Sequence, residues 1–492
     1  MPSKPLSVRL PLWLVLYFIL WTVLPFALST SYPLDVPEGI YWGREWQWGY
    51  YKHPPLSSWI LYSFYYIFGH IGPYILSQCT IALSLWLAYQ LGRQLMSRSR
   101  AFLGALFLLA IFYYTWPSLE FNHNIAQMPV WLGLVYIFYL VTRQNCWRYW
   151  LLFGLLAGAG MLVKYTVALL IITMILYSLC TPYRRLWLTA KPWLAILIAL
   201  LVFAPNVYWL IQHNWLPLTY ASARSAEDAS RNGHLAALGY LGTQIINHLP
   251  LLLILLFTRT RLSLRTPIQI LLHKSDWRFL LWMGLAPTLI LSCAGLIFGL
   301  GLRDMWGMPM WGLSGLIIVA LIPEQVFADK STSLLKAIVI WVSIVTILMV
   351  TYVEFGARIR HKPSRMDWPQ TELASQADEQ WQTLSSCKLD SVTGSDWVVL
   401  LVASYSNFAP SVMVSGDAAY SPWMSSRRLQ EHGTLALWPD NEQPKVPWLQ
   451  PLAQRPDLVM KQGEWTIAWG KLPDREPLKI RWQAYIPKRC MK

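Results

Sequence analysis

PWLAILIALLVFAPNVYWLIQ, residues 192–212, carries no charged side chain over a length that, as a helix, just crosses a hydrocarbon core about 30 Å thick. A helix apolar on every side has no face to turn towards water, so it belongs in a membrane or a large core. Composition decides between the two. Of 492 residues, 55% are hydrophobic and 13% charged, with 29 Trp and 25 Tyr, whereas soluble chains carry about 25% charged residues. Outward from 192–212, similar apolar runs predict membrane spans at 11–28, 72–92, 101–117, 125–142, 148–163, 167–181, 237–258, 279–300, 308–323 and 336–356. That makes about eleven crossings, or up to about thirteen with shorter segments. No small-residue cleavage site follows Leu10 to Leu28, so the first run reads as a retained span.

Lys and Arg divide unevenly between alternate short loops. Lys4, Arg9, Arg93, Arg98, Arg100, Arg143, Arg148, Arg184, Arg185, Lys191, Arg259, Arg261, Arg265, Lys274, Arg278, Lys330 and Lys336 fall on one side, Arg44, Lys52, Lys164, Arg224, Arg231 and Arg303 on the other. The richer side is expected to be cytoplasmic, with the N-terminus inside. Much of the net charge of +15 is this topological signal, so a nucleic-acid partner is not indicated. From about residue 358 the chain turns polar, and DWVVLLVA, GTLALW and EWTIAWG read as strands between turn residues. The expected architecture is therefore an α-helical polytopic membrane domain, 1–357, followed by an extracytoplasmic α/β domain, 358–492. Cys387 and Cys490 bracket that domain on the oxidising side, which leaves a disulfide open.

The remaining ionisable groups gather on the outer side. The first outer loop contains YPLDVPEGIYWGREWQWGYYKHPPL, residues 32–56. Asp35 and Glu38 flank Pro37, a spacing that places both acids in the first turn of a helix. Tyr41, Trp42, Trp46 and Trp48 follow, as expected of a helix lying in the headgroup layer. Lys52 and His53 then precede the rigid Pro54-Pro55. Each group alone is explained by capping or snorkelling; together, acids beside Lys and His at an apolar boundary form a site able to hold a phosphate and take up a proton. SLEFNHN, residues 118–124, adds Glu120, Asn122 and His123. Lys164 lies between two short apolar segments, where an ammonium is costly without an anion. The polar stretch 213–234, with Arg224 and Arg231, reads as a loop long enough to act as a lid. In GLRDMWGMPMW, residues 301–311, Arg303 is suited to bidentate phosphate binding, with Asp304 as its simple partner. Asn206, Asn247 and His248 lie beside prolines within spans and are read as satisfying loosened backbone, not as ligands.

An acidic first outer loop, the GYYKHPPL turn, KYT opening a span and RDMWGMPMW between later spans, in that order, resemble the bacterial branch of the GT-C glycosyltransferases. This group is related to the dolichyl-phosphate-mannose protein mannosyltransferases and the lipid A aminoarabinose transferase. The resemblance implies an enzyme of the bacterial inner membrane that takes a sugar from a polyprenyl-phosphate carrier to an envelope acceptor: lipid A or lipopolysaccharide, another glycan, or protein. It assigns Asp35 and Glu38 to the catalytic centre and Lys52, His53, Lys164 and Arg303 to the donor phosphate; Glu120, Asn122, His123 and Arg224 would make weaker substrate contacts. One departure is visible. Where the aminoarabinose transferase has an acid followed by Lys before its proline, this chain has Lys52 followed by His53, two potentially cationic side chains. No cofactor is called for; a divalent metal between the two acids stays open, without a recognisable ligand set. A lipid-linked sugar flippase is the alternative, and it would be expected to show repeated halves and ionisable groups near the bilayer midplane.

Overall fold

The computed structural model describes residues 9–229, 233–265, 274–442 and 452–492. In chain order its helices are α1 (Arg9–Leu28), α2 (Asp35–Glu45), α3 (Leu56–Phe68), α4 (Gly72–Leu95), α5 (Arg98–Leu106), α6 (His123–Gln144), α7 (Trp147–Val163), α8 (Val167–Leu179) and α9 (Ala190–Gln212). There follow α10 (Leu216–Ala229), α11 (Gly233–Asn247), α12 (Leu249–Phe257), α13 (Lys274–Phe298), α14 (Ser314–Ala320), α15 (Glu324–Arg360), α16 (Gln370–Leu384), α17 (Asp396–Tyr405) and α18 (Ser426–His432). Strands β1 (Ser391–Gly394), β2 (Ser411–Met413), β3 (Thr434–Pro439), β4 (Leu458–Ile467) and β5 (Leu478–Pro487) make one sheet. Two compact units result. One comprises Met1–Thr22, Lys52–Ser57 and Tyr74–Leu348; the other comprises Val23–Tyr51, Ser58–Pro73 and Met349–Lys492. The division is thus not a single cut near residue 357, because much of the segment between α1 and α4 belongs with the tail.

By length and apolar composition, five helical segments among the described residues can cross a membrane, or eight if each bent pair counts as one crossing. Several expected spans are not straight. The 101–117 segment leaves α5 through 3-10 turns with a bend of 89°, and α8 bends by 104° into the turn opened by Pro182. Between α11 and α12 the chain bends by 41°. Pro250 has no N–H to return to α11; His248 N turns to the Ile245 carbonyl (3.0 Å), and its Nδ1 bonds the Gln244 carbonyl (2.7 Å). Segment 308–323 is a 3-10 turn, Asp304–Trp311, followed by the short α14. Apolar composition runs unbroken through these breaks, so hydropathy does not register them.

Small residues set the close approaches in the helical unit. A Cβ on Gly154 or Gly158 of α7 would meet the α9 backbone at Ala195 and Ala199, and the spacing of four keeps both glycines on one face. Arg100, counted with the topology-setting charges, is 1% exposed. It donates to the carbonyls of Val319 and Ile322 (2.8 and 2.9 Å) and to Glu324 (2.9 Å), capping the C-terminal end of α14.

In the second unit the sheet order is β2-β1-β3-β5-β4, with β2, β1 and β3 parallel and β3, β5 and β4 antiparallel. GTLALW and EWTIAWG form β3 and the end of β4 as expected. DWVVLLVA does not: it is helix α17. Eight of its ten residues are buried, so the run shows neither the two-residue nor the 3.6-residue alternation that separates strand from helix. Cys387 and Cys490 are disulfide-bonded across a separation of 103 residues. Lys471, from the turn after β4, donates to the carbonyls of Leu28 (2.6 Å) and Val353 (2.5 Å) and pairs with buried Asp367 (3.3 Å), fastening the ends of α1 and α15 to the tail.

Candidate functional site

The helical unit gathers the basic candidates. Pro54 and Pro55 deny the chain helical hydrogen bonds until α3 begins, leaving Lys52 and His53 in an irregular turn. The His53 ring lies 4.0 Å, centroid to centroid, from that of His123, the first residue of α6. Lys164 separates α7 from α8, is 7% exposed, and donates from Nζ to Asn124 Oδ1. Asn124 Nδ2 in turn reaches Met305 Sδ (3.5 Å), in the 3-10 turn that follows Arg303. Lys52 Nζ lies 5.7 Å from the ring centroid of Tyr220, on α10. Burial holds the His53 imidazole well below its ordinary 6.5, and His123, Lys164 and Lys52 push the same way. His53 is therefore neutral at pH 7. Of the two potentially cationic positions, the turn offers one ammonium and one neutral imidazole.

Asn122, expected as a substrate contact, has a structural role in the helix. Its Oδ1 accepts from the backbone N–H groups of Asn124 (2.9 Å) and Ile125 (3.2 Å), making it the N-cap of α6. Glu120 ends the preceding 3-10 turn, and half-buried Arg303 opens the Asp304–Trp311 turn. Arg224 pairs with Glu227 (2.7 Å) on α10, where both are exposed. The lid loop expected around it is the regular helix α10; Arg231 lies outside the described residues.

The acids belong to the second unit. Helix α2 starts at Asp35, so Asp35 and Glu38 share its first turn as expected. Glu38 is buried, and its Oε1 accepts from the Tyr51 hydroxyl (3.3 Å). Helix α2 does not present its aromatics to headgroups. Tyr41 and Trp42 are each 1% exposed; Trp42 stacks on Tyr50 (5.1 Å), and Tyr41 meets the edge of Trp423 (6.0 Å). Two apolar partners, α3 on one side and the tail on the other, leave this helix no lipid-facing stripe. Trp46 and Trp48, beyond its end, are the exposed ones and pack on Trp59 (4.6 and 4.9 Å). Arg44, its own pKa lowered by burial, donates to the carbonyls of Ala403 (3.3 Å) and Pro410.

Tyr51, Tyr420 and Asn124 were not singled out from sequence. Asn124 lay inside the SLEFNHN motif and could have been found there; Tyr51 and Tyr420 are 369 residues apart, and no local pattern links them. Among the described residues, no group of three or more His, Cys, Asp or Glu is placed to hold a metal ion.

Residues 52–209 match the profile of the family described as dolichyl-phosphate-mannose-protein mannosyltransferase, about a third of the chain. The lipopolysaccharide core galacturonosyltransferase RgtA of Rhizobium johnstonii is 28% identical over 204 residues, 40% of this chain and 41% of that protein. The lipid A galacturonosyltransferase RgtD of the same organism is 25% identical over 221 residues, 42% of this chain and 45% of that protein. The matched stretch therefore spans less than half of either relative. The structural comparison reaches further: the crystal structure of ArnT from Cupriavidus metallidurans bound to undecaprenyl phosphate aligns with a TM-score of 0.61 over 96% of this chain and 98% of that one, at 12% identity. The chain has the fold of ArnT over nearly its whole length and resembles the mannosyltransferase family over residues 52–209. The family match opens at Lys52 and takes in His53, Glu120, Asn122, His123 and Lys164, whereas Asp35, Glu38 and Arg303 lie outside it.

Proposed function

We propose that this protein transfers a sugar from a polyprenyl-phosphate carrier to a lipopolysaccharide or lipid A acceptor at the outer face of the inner membrane. The observation that carries this reading is the buried group in which Lys164, His53, His123 and Asn124 come together beside Lys52. Ammonium groups and imidazole N–H donors gathered at one place suit a phosphate, here that of the donor phosphodiester. Lys52 and Lys164 supply the charge and neutral His53 an N–H donor, and together they stabilise the negative charge that builds on the departing polyprenyl phosphate as the sugar–oxygen bond breaks. Arg303 is assigned to the same phosphate.

Asp35 is assigned as general base towards an acceptor hydroxyl, with Glu38 second; towards a phosphate acceptor, which needs no base, the two acids orient the sugar. The Cys387–Cys490 disulfide supports placing the tail on the periplasmic side, and the Lys and Arg distribution supports a cytoplasmic N-terminus. The names of RgtA, RgtD and the undecaprenyl-phosphate complex of ArnT support the acceptor class and the carrier.

The donor assignment is tested in detergent with the purified protein and a series of polyprenyl-phosphate sugars. Lys164→Met is expected to raise the donor KM about tenfold to a hundredfold, the worth of a hydrogen bond to a charged group. Arg427→Ala, an exposed tail residue paired with Glu431, serves as the unaffected control. A Lys164→Met enzyme with wild-type donor KM overturns the assignment.

A further inference from the structure

We propose that Tyr420, in the tail loop between β2 and α18, is a positioning residue for Glu38, acting through the stacked ring of Tyr51. The proposal rests on the reading of Glu38 as part of the transfer site. Every contact it uses lies within the second unit.

The loop is held at several points. Val414 N donates to Ser421 Oγ (2.9 Å), and Ser421 is fully buried. Ser415 donates from N (2.6 Å) and Oγ (2.7 Å) to the carboxylate of Asp396, at the start of α17. Asp417 Oδ1 accepts from Ala419 N (2.8 Å), and Trp423 Nε1 donates to the Val412 carbonyl (3.0 Å). These bonds hold the backbone on both sides of Tyr420. The Tyr420 ring stacks on Tyr51 with centroids 4.7 Å apart and planes 25° apart. Trp42 meets Tyr51 edge-on at 5.8 Å and 84°. The Tyr51 ring is therefore confined by a stacked ring and by an edge, and its hydroxyl is carried to Glu38 Oε1 at 3.3 Å. Trp423 extends the same grip, meeting Tyr41 (6.0 Å) and Tyr50 (6.4 Å) edge-on. Stacking requires the ring of Tyr420 and not its hydroxyl, whereas the bond to Glu38 requires the hydroxyl of Tyr51. That difference in chemistry separates positioning from simple packing.

The test uses full-length protein in membrane vesicles of the producing cells, which carry their own donor and acceptor, with the rate read from the modified glycolipid by mass spectrometry and variant levels matched. Tyr420→Ala and Tyr51→Phe are each expected to slow transfer about threefold to tenfold. Tyr420→Phe is expected to restore the wild-type rate. The double variant Y51F/Y420A is expected to be no slower than Y51F, because both changes break one connection. A wild-type rate for Tyr420→Ala, a Tyr420→Phe as slow as Tyr420→Ala, or a double variant slowed by the product of the two effects each overturns the proposal. Tyr51→Phe keeps the ring and its packing, so it reads the Glu38 connection even if Tyr420→Ala fails to fold; a wild-type rate for it overturns the proposal as well. Glu38→Gln distinguishes the two levels. Full activity in Glu38→Gln sinks the reading of Glu38 itself, whereas an inactive Glu38→Gln beside an unaffected Tyr420→Ala sinks only the role of Tyr420.

Discussion

His53 carries its charge state from burial, not from its place in the chain. Next to Lys52 and ahead of two prolines it reads as a second cation, yet enclosure beside His123 and Lys164 keeps it neutral. The consequence for stability has a definite sign. A histidine whose folded pKa lies below the unfolded 6.5 binds fewer protons when folded, so its contribution is fully present above pH 6.5 and is lost as pH falls below it. The melting temperature of the detergent-solubilised protein is expected to drop between pH 6.5 and 5, and His53→Gln is expected to shrink that drop; an identical drop in the variant would show that His53 is not the group responsible. The candidate residues were legible in the sequence, because Asp35, Glu38, Lys52, His53, His123 and Lys164 stand in short motifs of unlike ionisable groups beside prolines or span ends. Their environment was not legible. Whether Asn122 caps a helix or meets a ligand, and whether Arg224 points to solvent, depends on neighbours distant in the chain.

Helix α2 shows what a short element reveals of itself and what it conceals. Its start was readable from Asp-x-Pro-Glu, a pattern that suits the first turn of a helix and little else. Its burial was not, since the aromatics that suggested a headgroup helix pack instead on α3 and the tail. Gly39 and Gly43 permit that packing and are expected to differ sharply. A Cβ on Gly43 would run into the Ser58 carbonyl and Tyr62 Cβ, whereas one on Gly39 would meet, at 2.6 Å, the flexible end of Leu61. Gly43→Ala is therefore expected to destabilise the protein by about 1–3 kcal/mol and Gly39→Ala by less, as read by thermal unfolding in detergent. Equal melting temperatures for the two variants would contradict the close α2–α3 approach. The opposite failure of legibility occurs in α17, where an apolar run buried on all sides carries no periodicity from which helix could be told from strand.

At the scale of the molecule, the class was legible early, because charge depletion and repeated apolar runs leave a membrane protein as the only economical reading. The order of motifs then pointed to the GT-C group, and the fold agrees over nearly the whole chain. What no local pattern could show is the partition between units. Residues 23–51 fold with a tail about 300 residues further along the chain, and the chain passes from the unit that holds Asp35 and Glu38 to the one that holds Lys52 and Lys164 between Tyr51 and Lys52. The GYYKHPPL turn therefore contributes Tyr51 to the contact with Glu38 and His53 to the basic group. The central claim, transfer of a sugar to an envelope glycolipid through the first-loop acids, is tested most directly by mass spectrometry of the glycolipids of cells carrying the wild type, an Asp35→Asn variant at matched level, or no copy. The account predicts that one discrete sugar mass is lost in both the variant and the null strain while a lipid-linked precursor accumulates. A null strain that loses the mass beside a variant that keeps it fully, or a null strain with an unchanged profile, would contradict it.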